Sequence, residues 1–407
     1  MSTETAEAPA RAGTRWLPVI VLALGTVAAG TDNYIIAGIL SGMANDLHIA
    51  VATAGQFVTG YSIAYALGAP IVMTMFRVRS PRRMLVAAAT LFVVVNVLAA
   101  SAQAAPTMAV ARLAAGCLGG LYSPLAAATA ANMVPAHRKG RALAIVLGGT
   151  SVATLAGVPV GVWIAGLSSW RMAFLFVAGL ALIAAFGIAI TVPPTGSTPT
   201  VSLRARVAPL RQLEVLLALG TTVAGLGAGF LVYTYIEPLF SSEPALGRGA
   251  VAPMIMLNGL GALVGLWLGS SLVDRIGARP VMLGCLAIFT VDMALLGLSV
   301  RTVISAGLFM IIWGIVGWAF VPAQQHSMIS SAPPELAAVL LSLNGSAMYV
   351  GIAAGSATGG AVTAALGADH LWIFATAFAA VALVVALVRH ARKPAADSIE
   401  PAGPGTR

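Results

Sequence analysis

Residues 193–212 read PPTGSTPTVSLRARVAPLRQ, the longest polar stretch in the body of an otherwise apolar chain. Four prolines and no apolar periodicity mark it as a linker rather than a helix or a strand. Outward from it, apolar segments start near 17, 50, 83, 107, 141 and 170 on one side, and near 213, 248, 280, 303, 337 and 369 on the other. Each reaches the length of about 20 residues that a bilayer crossing needs. The spacing predicts an all-α membrane protein of twelve transmembrane helices in two six-helix pseudo-symmetric halves, residues 16–192 and 213–390, joined by the linker 193–212. Residues 1–15 and 391–407, rich in Ala, Pro, Gly, Glu and Arg, are expected to be disordered cytoplasmic tails.

Composition supports the membrane reading, because 59% of residues are hydrophobic and only 9% charged, against about 25% charged in soluble domains. The net charge of +9 raises nucleic acid as a partner, but its placement argues against it. With the N-terminus inside, eighteen of the 22 Lys and Arg fall on the cytoplasmic side, Arg171, Arg248 and Arg301 fall outside, and Arg112 lies within a helix. The expectation is a multi-pass protein of the cytoplasmic membrane with both termini cytoplasmic, which makes the lipid bilayer a partner and nucleic acid not one. A monomer is the expected unit. No cleavable signal peptide is expected, since the first apolar segment is full length. Cys117 and Cys285 lie within apolar segments of different halves, which suits packing better than a disulfide.

The halves repeat one another in their landmarks. RVRSPRR at 77–83 and DRIGAR at 274–279 are basic turns after the second helix of each half. GGTSVATLAGVPVG at 148–161 and GIAAGSATGG at 351–360 crowd the fifth helix of each half with small residues, which permit close helix contact. Two repeats with matching landmarks suit a transporter that binds its substrate between them.

GTDNYIIAGIL (30–40), ARLAAGCLGG (111–120), GVPVG (157–161), DRIGAR and WGIVGWAFVPAQQ (313–325) together resemble the major facilitator superfamily. They are most similar to its twelve-helix drug:proton antiporters, the branch with purine-nucleobase efflux pumps, chloramphenicol exporters and sugar- or arabinose-efflux-like proteins. The resemblance implies that Asp32 is the acid of the helix 1 motif and Arg112 the buried arginine of the helix 4 motif. It makes Gly157, Pro159 and Gly161 the helix 5 signature of antiporters. It also makes Asp274, Arg275, Gly277 and Arg279 a cytoplasmic latch. The first-half copy of the latch keeps Gly68 and its arginines but has no acid between 68 and 83.

A carboxylate at membrane depth costs about 2.5 to 3.5 kcal/mol even on insertion scales, so Asp32 needs a partner. It lies eight residues before Leu40 on an outward-running helix, about 12 Å from that end. Arg112 lies at a similar depth on an inward-running one. Their pair is read either as a structural pin or as a proton-coupling site, in which Asp32 alternately holds a proton and the arginine. One inward proton yields about 2.3 kcal/mol per 100 mV and about 1.4 per pH unit. At a total near 150 mV that sustains an approximately 300-fold gradient of a neutral substrate. No GxxxxGK[ST] motif is present to bind ATP.

Asn33, Tyr34, Gln56, Tyr233, Tyr235, Gln324, Gln325 and Asn344 are the candidate substrate contacts, and Pro322 is expected to bend helix 10 beside the glutamines. Asp292, on helix 9, is read as polar packing, and Glu237 as an outer-vestibule or headgroup contact. His326 has no Cys, His or carboxylate at ligand spacing, so neither a metal nor any other cofactor is expected. An enzyme would need a nucleophile with its base, or a metal cluster, at depth, and the sequence suggests neither. The function expected is proton-coupled export of a small organic molecule, such as a drug or a purine-like nucleobase or nucleoside, by alternating access. The alternative is a facilitator or importer. Purines, nucleosides, phenicol drugs and lipophilic cations suit these residues equally.

Overall fold

The computed structural model describes residues 16–75, 80–194, 207–330 and 336–392. The tails 1–15 and 393–407 and the linker centre 195–206 lie outside the described residues, as do Arg77 and Arg79 of the first basic turn. Regular structure among the described residues is helical throughout.

The long helices fall where the apolar segments do. In the first half they are α1 (Leu17–Ile35), α2 (Val51–Met75), α3 (Pro81–Ser101), α4 (Ala105–Asn132), α5 (Ala136–Leu167) and α6 (Arg171–Thr191). In the second they are α7 (Leu213–Tyr233), α8 (Val251–Ile276), α9 (Ala278–Ala294), α10 (Val303–Ile329), α11 (Ala337–Ala365) and α12 (Leu371–Ala391). Ten are long and apolar enough to cross a membrane; α2 and α9 have 25 and 17 residues. Ser80 starts α3 by accepting from the Arg83 N–H, with Pro81 in the first turn, where its missing donor costs nothing. Gly277 joins α8 to α9 at φ +86°, a conformation that a Cβ strains. Trp267, Ile304 and Phe186 are 71%, 78% and 67% exposed; on helices of this length, such side chains form the lipid-facing skin.

Glycines set how the helices pair. A Cβ on Gly116 or Gly120 of α4 would strike the Tyr61 or Tyr65 carbonyl of α2 at 2.2 Å. Gly261, Gly265 and Gly269 press α8 onto Ile311, Ile315 and Ala319 of α10 in the same manner. Gly351, Gly355 and Gly359 press α11 onto Val223, Gly227 and Leu231 of α7. Gly149, Gly157 and Gly161 of α5 lie against Thr26, Thr31 and Ile35 of α1. Residue numbers rise together in every pair, so the partners run parallel and the short connections carry the chain back between them. Trp16 and Arg392, the first and last described residues, then lie at one end of the bundle, here the tail end.

Prolines explain two of the breaks. Pro159 lacks an N–H and its ring crowds the carbonyl four residues back, inside the π-helical turn Ala153–Gly157 that interrupts α5. Pro238 does the same at Thr234, where α7 stops before a short helix, Ile236–Ser242. The turn after α1 leads likewise into Leu40–Asp46, although no proline lies there. Pro322, expected to bend α10, sits inside an uninterrupted helix.

The two short helices close the end opposite the tails. The Ser41 N–H, in the first turn of Leu40–Asp46, donates to Glu237 Oε2 of the other half at 2.8 Å. The Tyr235 hydroxyl donates to the Ser356 carbonyl at 3.0 Å and reaches the Ala52 carbonyl of the first half at 3.5 Å. At the same end, Asp46 pairs with Arg171 and accepts from Trp170 Nε1 at 2.9 Å, which holds its carboxyl below the usual carboxylate range.

Candidate functional site

Between the halves lies a cavity of about 470 Å³, within the range of small-molecule sites. Its lining runs from Tyr34 and Tyr233, at the far ends of α1 and α7 from the tails, to Leu147, Leu266 and Gln325, in the tail-end halves of α5, α8 and α10. It therefore extends toward the tail end, while Glu237 and Tyr235 seal the other. Second-half residues make most of an aromatic wall that includes Phe230, Tyr233, Phe289 and Trp313. First-half residues bring hydroxyls, those of Ser123, Thr150, Ser151 and Thr154.

Of the candidate substrate contacts, Tyr34, Tyr233 and Gln325 line this cavity. Gln325 has no hydrogen-bond partner among the described residues, so its amide is free for a ligand. Gln324 points elsewhere, into a buried network: its Nε2 donates to the Ala218 carbonyl at 2.6 Å and to Thr222 Oγ1 at 3.0 Å, and Thr222 donates to Asn344 Oδ1 at 2.7 Å. Gln324 and Asn344 thus tie α10, α7 and α11 together outside the lining. Tyr235 and Gln56 lie at the sealed end, where both approach Gly360. Asn33 is buried beside Asp32, away from the lining.

Asp32 and Arg112 meet as their depths suggest. Arg112 Nη1 donates to Asp32 Oδ1 at 2.7 Å, and Nη2 donates to the Asp32 carbonyl at 3.0 Å. The side chains are 0% and 1% exposed. The guanidinium lies 4.4 Å from the Tyr61 ring centroid and 5.7 Å from that of Phe174, a cation–π arrangement that suits a desolvated arginine. Asp32 Oδ2 and Arg112 Nε have no hydrogen-bond partner among the described residues. One carboxylate oxygen is thereby left open to a proton.

Neither residue touches the cavity, but a file of rings joins them to it. Tyr61 lies 6.1 Å from Tyr65, and Tyr65 stacks on Tyr349 of the other half at 3.5 Å and 13°. Tyr65 and Tyr349 line the cavity, and neither stands out as a candidate in the sequence. The four-residue step from Tyr61 to Tyr65 places both on one helix face, but aromatic residues at that spacing are as readily core as site. Trp313, Phe289, Asn258 and Ser151 escape sequence reasoning for the same reason.

Gly157 and Gly161 flank this pair from α5, their would-be Cβ atoms 2.1 Å from Thr31 Oγ1 and 2.2 Å from Ile35 Cδ1. Pro159, between them, starts the helix that follows the π turn. Asp292 is buried on α9 and forms no ion pair among the described residues, and its Oδ2 is unbonded. Its neighbours one and two turns back, Phe289 and Cys285, line the cavity. Asp274, Arg275 and Arg279 are exposed around Gly277 and form no ion pair among the described residues.

A family comparison decides what kind of protein carries this site. The Major Facilitator Superfamily profile matches residues 22–356, and again 217–406. The chain belongs to the major facilitator superfamily. This transporter is 30% identical over 380 residues to the inner membrane transport protein YdhP of Escherichia coli, covering 93% of the chain and 97% of the relative. It is 32% identical over 263 residues to a chloramphenicol resistance protein of Streptomyces lividans, covering 64% and 67%. A bacterial homologue of the human lysosomal transporter Spinster, solved in an inward-facing and occupied conformation, shares its fold. The TM-score is 0.73 at 15% identity, over 93% of this chain and 98% of that one. The transporter is a multi-pass protein of the cytoplasmic membrane and not an enzyme.

Proposed function

We propose that the transporter exports a small organic molecule in exchange for protons, and that Asp32 carries the proton. The observation that carries this reading is the sealed Asp32–Arg112 pair with its open carboxylate oxygen, joined to the cavity through Tyr61 and Tyr65. Apolar surroundings favour a neutral acid while an adjacent guanidinium favours the carboxylate, so a small shift of α1 against α4 changes which form is preferred. Gly157 and Gly161 let α5 press on α1 either side of Asp32, which makes movement of α5 felt at the pair. With tails in the cytoplasm, as the distribution of Lys and Arg favours, the cavity faces inward, ready to load substrate.

Asp292 supports a second reading, because a buried carboxylate with no cationic partner is also a place to hold a proton. Reconstituted vesicles separate the two. Asp32→Asn should abolish uphill export driven by a pH gradient yet keep substrate-for-substrate exchange, which needs rocking but no net proton movement. Asp292→Asn should retain most active export. Uphill export surviving in Asp32→Asn and failing in Asp292→Asn would move the proton site to α9.

A further inference from the structure

Among the candidate substrate classes, the cavity wall discriminates by charge. Among the described residues, nothing that lines it is Asp, Glu, Lys, Arg or His, and nine of the lining residues are aromatic. Asp32 and Arg112 neutralise one another behind the wall, and Asp292, one turn from Phe289, is buried without lining it. Resting on the export reading, we propose that the substrates are uncharged molecules with a flat aromatic ring and a hydrogen-bonding arm, and that cations of similar size are rejected.

Aromatic walls can also hold cations, so the ring geometry matters. A cation cage needs several ring faces turned to one point. Here Tyr65 and Tyr349 cover one another's faces at 3.5 Å. Tyr233 meets Trp313 edge to face, at 6.0 Å and 87°, and Phe309 packs on Trp313 at 5.7 Å and 62°. With these rings turned toward one another and no Asp or Glu in the lining, a desolvated cation meets no point that several ring faces share and has little to replace its water. A neutral ring loses little water and needs only one free ring face or edge to pack against. The polar groups that line the cavity include the Gln325 amide on α10, unbonded among the described residues, and the Ser151 hydroxyl on α5, one from each half. A ligand held by both bridges the two halves that must move together.

The test is binding to the purified full chain in detergent, read by quenching of tryptophan fluorescence, since Trp313 and Trp318 line the cavity. The probes are neutral chloramphenicol, cationic tetraphenylphosphonium and anionic naphthalenesulfonate. The neutral probe should bind at least about tenfold tighter than either ion, equivalent to about 1.4 kcal/mol. Gln325→Glu, which puts an acid in the wall, should reverse the preference toward the cation, and Ser151→Asp should do the same from the facing wall if the first variant fails to fold. Tyr349→Leu should weaken the neutral probe severalfold. A cation bound as tightly as the neutral probe by the unsubstituted protein, or a neutral probe not bound at all, overturns the inference. Binding needs no proton, so Asp32→Asn should keep the same preference. Export lost with the preference intact in Asp32→Asn or Asp292→Asn bears on the proton-coupling reading alone.

Discussion

Arg112 holds Asp32 by a side-chain and a backbone contact at once, so removing either partner orphans the other in a site that water does not reach. Removing one member of such a pair costs about 3–5 kcal/mol, while replacing both with neutral groups costs much less. Arg112→Ala should therefore lower the thermal midpoint in detergent by several degrees, and Arg112→Ala with Asp32→Asn should recover most of it. A double variant as unstable as the single one would mean that Arg112 works through its packing on Tyr61 and Phe174 instead. The pair was legible in the sequence because charge inside apolar helices has few explanations, and helical rise fixes depth closely enough to match partners. Gln324 shows the limit: an amide in a membrane helix must satisfy itself somewhere, and sequence does not say whether a ligand or Thr222 does so.

The π turn in α5 is an element where the two halves meet backbone to backbone. A Cβ on Gly259 of α8 would fall 2.7 Å from the Thr154 carbonyl and 2.8 Å from the Leu155 Cα. Backbone on both sides of this contact has nothing flexible to yield. Gly259→Ala should push the halves apart near the sealed end and shift the population toward the state open there. Cysteines placed at Ser41 and Ser241, at that end, should cross-link less readily in the variant than in the parent; undiminished cross-linking would show that the contact moves as one body. The sequence marked a bend at Pro322 and did not mark one at Pro238, yet the same missing N–H yields a π turn at Pro159, a break before Pro238 and a continuous helix at Pro322. What surrounds each proline decides, and that is tertiary.

At the scale of the whole molecule, the all-helical membrane architecture was readable because hydropathy picks out long apolar helices well. The aromatic cavity was not readable, because its lining depends on which face of each helix looks inward. Orientation is an expectation from charge: the order of the apolar segments assigns eighteen of the 22 Lys and Arg to one side. Cysteines at Arg204 and Arg392 in a cysteine-free background should react with impermeant thiol reagents only once the membrane is opened, and labelling of Arg204→Cys in intact cells would reverse the assignment. The exposed Asp274, Arg275 and Arg279, which form no ion pair among the described residues, would then face the cytoplasm. The chargeless wall also has an electrical meaning. A neutral passenger in a neutral chamber carries no current through the membrane field, so any charge displaced per molecule exported belongs to the counter-moving ions. Capacitive current recorded from a supported membrane, divided by substrate flux, would thus count protons directly.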